Sequence, residues 1–185
     1  MAQGLVIVGS LRKASSSRKL ANNLISVAPP SLTLRIAEII QLPMYNPDLE
    51  GPDVPREWLT FRKLVMATDA VLFVTPEHNR SVPAALKNAI DIASRPHGQN
   101  NWDGKPAAVA SISRDAIGAF GSNNHLRQSL IAVNMPTLPQ PEVCIGGGET
   151  VFDADGNVAD EDTRAFLTVF MILFADWVER QKKVM

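Results

Sequence analysis

The chain has one cysteine, Cys144, in 185 residues, so it can close no internal disulfide and build no multi-cysteine metal site. It has almost no net charge, −1, where a nucleic-acid binder would carry a strongly basic face. No apolar run reaches the roughly 20 residues of a bilayer span. The most apolar late stretch, Ala165 to Val178, is interrupted by Asp176 and reads as a buried helix. The opening MAQGLVIVGS shows no basic segment and cleavage site of a secretory signal, which makes the cytoplasm the expected compartment. Two phosphate signatures are missing as well. Without G-x-G-x-x-G a dinucleotide pyrophosphate pressed on bare backbone is not indicated, and without G-x-x-x-x-G-K-[ST] a nucleoside triphosphate is disfavoured.

What is present centres on Val6 to Leu24, VIVGSLRKASSSRKLANNL. An apolar strand, Leu5 to Val8, breaks at Gly9, and a helix follows with Leu20, Ala21, Leu24, Ile25 and Ala28 on one stripe. The turn between them is rich in hydroxyls and cations. Ser10, Arg12, Ser15 and Ser17 can combine side-chain donors with free helix amides and the helix dipole to hold a compact monophosphate. The plain alternative is a solvated basic turn with an ordinary helix cap. Charge favours the anion site, because the first 37 residues hold five basic residues and no acidic one.

The rest of the chain alternates strands and helices. Leu32 to Ala37 reads as a strand, and Leu42 to Pro55, with four prolines and Gly51, as a long extended loop, whether lid, partner surface or plain connection. Trp58 to Ala67 reads as a helix with Trp58, Leu59, Phe61, Leu64 and Val65 inward and Arg62 and Lys63 toward water. Ala70 to Thr75 is a central strand. It ends in PEHNRSVPAALKNAIDIASRP, where Ser81 is the expected cap of a helix over Ala84 to Ala93. Ala107 to Ser113 is the next strand, followed by a loop from Arg114 to Gly121 and a helix from about Asn123 to Val133. A short strand lies at Val143 to Ile145, and a last helix runs from near Asp160 to near Lys183, with Phe166, Val169, Phe170, Leu173, Phe174 and Trp177 as its apolar stripe, widened by Leu167, Met171 and Ile172. Such a helix is expected to be buried on more than one side. This order implies one doubly wound α/β domain over residues 1–185 with five parallel strands. Ligands of such sheets bind beyond the strand carboxyl ends, which places Pro76 to Arg80 at the site.

Three further features read as structural. The acidic residues from Asp153 to Asp162 look calcium-like, but Val158 stands where the loop needs Gly and Arg164 where it needs Glu, so a solvated turn and an acidic helix start are expected. His97 and His125 have no partner at metal-ligand spacing and are assigned surface or capping roles. Cys144, in an apolar strand, reads as an inert buried thiol.

Taken together, GSLRKASSSRKL and PEHNRSVPAALKNAIDIASRP resemble the NADPH-dependent FMN reductase family, flavodoxin-like flavoenzymes that include quinone and chromate reductases. The likeness continues through HLRQSL at His125 to Leu130 and PEV at Pro141 to Val143. It implies a flavodoxin-like sheet of order 2-1-3-4-5. It implies FMN with its phosphate on Ser10, Arg12, Ser15 and Ser17, and its ring lined by Pro76, Glu77, His78, Asn79, Arg80 and Ser81 and closed by Ser113 and Gly118. NADPH or NADH is the implied co-substrate and a quinone or similar small molecule the acceptor. No catalytic acid or base and no metal are implied, since the cofactor carries the chemistry. His78 replaces the usual tyrosine. The arginine and tyrosine that join dimers into tetramers in some members are absent at Gly121 and Asn124, although Glu142 is kept, so a homodimer is expected. A flavodoxin-type FMN carrier without a nicotinamide site is the first alternative, opposed by Arg12, Lys13, Arg80 and Arg114 where such carriers are acidic. A phosphoryl-transfer enzyme is the second, and it lacks an evident nucleophile.

Overall fold

The computed structural model describes residues 1–182. In chain order the elements are β1 (Ala2–Val8), α1 (Ser16–Ser26), β2 (Leu32–Ala37), α2 (Arg56–Met66), β3 (Ala70–Thr75), α3 (Ala84–Ala93), β4 (Ala107–Ile112), α4 (Phe120–Ala132), β5 (Val143–Ile145) and α5 (Glu161–Lys182). All strand pairs are parallel and the order is β2-β1-β3-β4-β5. Val6 pairs with Ile36 on one side and Leu72 on the other.

Strand alternation sends successive side chains to opposite faces, and both faces are buried. Val6, Val8, Leu72, Val74, Ala108 and Ala110 meet Leu20, Ala21 and Leu24 of α1 and Leu167, Phe170, Met171, Phe174 and Val178 of α5. Leu5, Ile7, Val71, Phe73 and Val109 meet Trp58, Phe61 and Val65 of α2, Leu86, Ala89 and Ile90 of α3, and Leu126 and Leu130 of α4. Trp102 fills the second layer, its ring centroid 5.9 Å from Phe73 and its indole N–H donated to Ile90 O at 2.9 Å.

Several expectations need correction. Arg62 does not face water: it is buried, donates Nε–H to Ile92 O at 2.9 Å and forms an ion pair with Glu50. Leu59 takes the exposed position instead. The Pro-rich loop is strapped down by the same contact and by Asn88 of α3, whose Oδ1 accepts Tyr45 N–H at 2.8 Å while its amide donates to Pro43 O at 3.1 Å. A 3-10 turn, Pro47–Leu49, lies within it. Helix α5 is buried on one side only. Phe166, Val169, Ile172 and Leu173 remain exposed, because the helix lies on the outside of one layer and only the Leu167–Phe170–Phe174–Val178 side reaches the sheet. Lys183, where α5 was expected to end, lies outside the described residues. Among the described residues no helix is long and apolar enough to cross a membrane.

Candidate functional site

The strand order reverses direction around β1 and β3, and the loops after those strands open into one cavity of about 490 Å³. The β4 loop forms its third wall. Ser10, Arg12, Ser15 and Ser17 line one end, Pro76 to Arg80 a second side, and Ser113 a third. Ser81 and Gly118 lie outside the lining.

At the first end, the Ser15 hydroxyl caps α1 by accepting Arg18 N–H at 3.1 Å. Helix geometry leaves the amides of Ser16 and Ser17 without intrahelical partners, at the positive end of the helix dipole. Ser10 Oγ lies 3.5 Å from Arg12 N, and the Arg12 side chain is exposed beside this end. Free amides, hydroxyls and one guanidinium form a donor set for a terminal phosphate. Arg18 is occupied elsewhere, paired through both terminal nitrogens with Glu38 at 2.8 and 2.7 Å.

The second wall is a tight turn. His78 and Ser81 exchange backbone N–H···O bonds, both 3.0 Å, and the two residues between them have positive φ, Asn79 at 50° and Arg80 at 63°. This is the conformation of a type I′ turn. Among the described residues the N–H groups of Asn79 and Arg80 remain unspent. Two side chains fasten the turn to α4. Glu77 Oε2 accepts Ser122 N–H at 3.0 Å, and Ser81 Oγ lies 3.0 Å from His125 Nδ1. Ser81 is therefore not the cap of α3, whose N-terminal position is Pro83 with no side-chain cap. His125, expected to act only as a surface or capping residue, is one of the fasteners.

The third wall is set by Ser113 and Gly118. Ser113 Oγ accepts Ala119 N–H at 3.0 Å and so closes the loop on itself. Gly118, at φ +62°, presses on β5 where a Cβ would collide with the Cys144 backbone. Its role is packing of the loop rather than lining. Gly121 lets α4 approach the turn, since a Cβ there would lie 2.9 Å from both Arg80 O and Glu77 Oε2. Sequence reasoning missed Ser16, Ile112, Arg114, Asp115, Gly148 and Glu149 as lining residues. Arg114 and Asp115 lay in a loop already marked, whereas Gly148 and Glu149 arrive from beyond β5, and only the Gly146–Gly148 run signalled a close approach.

A model of the NADPH-dependent FMN reductase family matches residues 4–150. The chain belongs to that family. It is 53% identical over 179 residues to a quinone reductase of Pseudomonas putida, covering 97% of this chain and 96% of the relative. A 2-hydroxy-1,4-benzoquinone reductase of a Burkholderia species is 41% identical, with 96% of each chain covered. Among solved structures, the flavoenzyme NAD(P)H:(acceptor) oxidoreductase FerB of Paracoccus denitrificans superposes with a TM-score of 0.92 at 42% identity, covering 98% of this chain and 99% of that one. The flavodoxin-like order and the family both stand as the sequence indicated, and family membership places this chain among FMN-dependent NAD(P)H oxidoreductases.

Proposed function

We propose that the cavity holds FMN and that the chain passes electrons from NADPH or NADH to quinones. The observation that carries this is the joining, in one cavity at the strand carboxyl ends, of a monophosphate cradle and a rigid turn with two unspent N–H groups. FMN, when bound, supplies the two-electron chemistry between nicotinamide nucleotide and acceptor. The chain's own residues bind and orient it. Ser10, Arg12, Ser15 and Ser17, with the amides of Ser16 and Ser17, take the phosphate. Pro76, His78, Asn79 and Arg80 offer a wall and donors to the ring, Ser113 closes the opposite side, and Glu77, Ser81 and Gly118 hold these loops in place. Exposed His78 keeps an aromatic face where a tyrosine would stand.

A homodimer working in the cytoplasm completes this reading. The Pro-rich loop 42–55 does not line the cavity of its own subunit, and its Met44 and the nearby Ile40 are exposed, as is Met66 of α2. These residues are free to wall the cavity of a second copy. A tetramer through Glu142 is disfavoured, because that carboxylate lies 3.9 Å from Arg127 Nε of its own chain.

The decisive test mixes purified protein anaerobically with NADPH or NADH and then with a benzoquinone. Loss of flavin absorbance on the first addition, its return on the second, and parallel lines in double-reciprocal plots are expected. A protein that binds FMN but is reduced by neither nucleotide is an electron carrier instead.

A further inference from the structure

Arg80 occupies a position that its backbone does not favour. Both central residues of the turn have left-handed φ, and the second is one where glycine would sit without strain. An arginine at such a position, lining a cavity, points to a use for its side chain. Structurally that side chain does little. It is 71% exposed and, among the described residues, forms an ion pair only with Glu77, at 3.4 Å, while Glu77 itself is turned toward Ser122.

Across the cavity, Arg114 stands on a fixed base with a free tip. Gly148 packs beneath it, where a Cβ would lie 2.9 Å from Arg114 Cγ, and Gly148 N–H donates to Ser113 O at 2.8 Å. Among the described residues the exposed guanidinium makes no ion pair. The other charged lining groups are Arg12, at the cradle end, and the carboxylates of Glu77, Asp115 and Glu149.

We propose that Arg80 and Arg114 form a second phosphate subsite at the cavity mouth, which receives a phosphate of the nicotinamide nucleotide. This rests on the reading of the cavity as the FMN site. A cavity of about 490 Å³ that takes FMN has no room for a whole dinucleotide as well, so the adenosine half lies across the mouth. Guanidiniums bind phosphate oxygens as a fork, and the neighbouring carboxylates suit ribose hydroxyls, a pairing that fits a phosphoribose better than a quinone.

The test uses FMN-loaded protein and the variants Arg80→Gly, Arg80→Lys, Arg114→Gln and the Gly/Gln double. Arg80→Gly relieves the strained φ, so folding is retained while the charge is lost. Kcat/KM for nucleotide and for a neutral benzoquinone are measured separately, and binding of 2′,5′-ADP is measured by titration calorimetry. The expected result is a fall of about tenfold in kcat/KM for NADPH in each charge-removing single variant. Weaker 2′,5′-ADP binding, a fall for the nucleotide that exceeds any change for the quinone, and partial recovery in Arg80→Lys are expected with it. A loss confined to NADPH assigns the 2′-phosphate, and an equal loss with NADH assigns the pyrophosphate. Unaltered nucleotide kinetics in the double variant overturn the subsite. So does an equal fall for the quinone in flavin-loaded protein. Wild-type protein that takes up no FMN would defeat the cofactor reading itself, a separate outcome.

Discussion

The carboxylate of Glu77, in the loop after β3, accepts the backbone N–H of Ser122 in the first turn of α4 at 3.0 Å. Helix α4 has no cap of its own, since Ala119 precedes it at φ 62° without a side-chain bond. Glu77 therefore does for α4 what a neighbouring Ser or Asp does for most helices, and it holds the wall of the cavity in the same contact. Glu77→Ala should cost about 1–2 kcal/mol in urea unfolding and speed FMN release. Glu77→Gln, which keeps an acceptor, should recover most of both. Equal FMN release from all three proteins would show that the cap does not set the wall.

In the proposed FMN site, Arg12 would meet the cofactor phosphate through a charge-assisted contact. Arg12→Ala should weaken FMN binding by about 1.5–3 kcal/mol while leaving riboflavin binding unchanged. Fluorescence titration of apoprotein with each flavin measures this directly. Wild-type protein that prefers FMN no more than riboflavin would remove the phosphate assignment.

The Arg62–Glu50 pair is mostly buried, with side-chain exposures of 10% and 19%. Arg62→Ala leaves Glu50 without its partner and leaves Ile92 O with only the longer bond from Arg95 N–H, and should cost about 3–5 kcal/mol. The double variant with Glu50→Gln should recover part of that loss. Proteolysis of the native single variant is expected to nick the 42–55 loop first.

Burial pushes the Cys144 thiol above its ordinary range, with a hydrogen bond from Ser111 opposing the shift. The nucleophilic thiolate is thus scarce at neutral pH. Iodoacetamide should modify the native protein slowly and the urea-unfolded protein completely, as read by intact-mass spectrometry. Rapid native labelling would contradict an inert role.

Sedimentation equilibrium across a concentration range tests the assembly. A dimer is expected, and Met44→Glu or Met66→Glu should weaken it and lower turnover together. A fully active monomer would exclude a shared site.

The central strand β3, the edge strand β5 and the helix α3 are legible residue for residue, because unbroken apolar runs and the proline before the helix mark them locally. The start of α4 was placed three residues too late for a physical reason: its cap is Glu77, more than 40 residues away, and no local signal announces it. Arg62 was misplaced because a cation on an amphipathic helix reads as solvent-facing until a carboxylate from a distant loop folds over it. In α5 the apolar stripe overstated the burial, since periodicity reports which residues share a face and not how many layers cover the helix. The site's two main loops were visible as motifs, whereas Gly148 and Glu149 reach the cavity only through tertiary packing.

The strapped loop also offers an engineering handle. Its ties fall on Tyr45 and Glu50, yet Gly51, next to the second tie, has φ +104° and open space around the position of a Cβ. A peptide tag or small domain grafted between Gly51 and Val54 would be flanked by the Glu50 tie on one side and the start of α2 at Arg56 on the other, and would leave the parent architecture intact. In the proposed dimer, where this loop would meet a second copy, such a graft would also act as a steric wedge, turning subunit pairing into something a linker's length can tune.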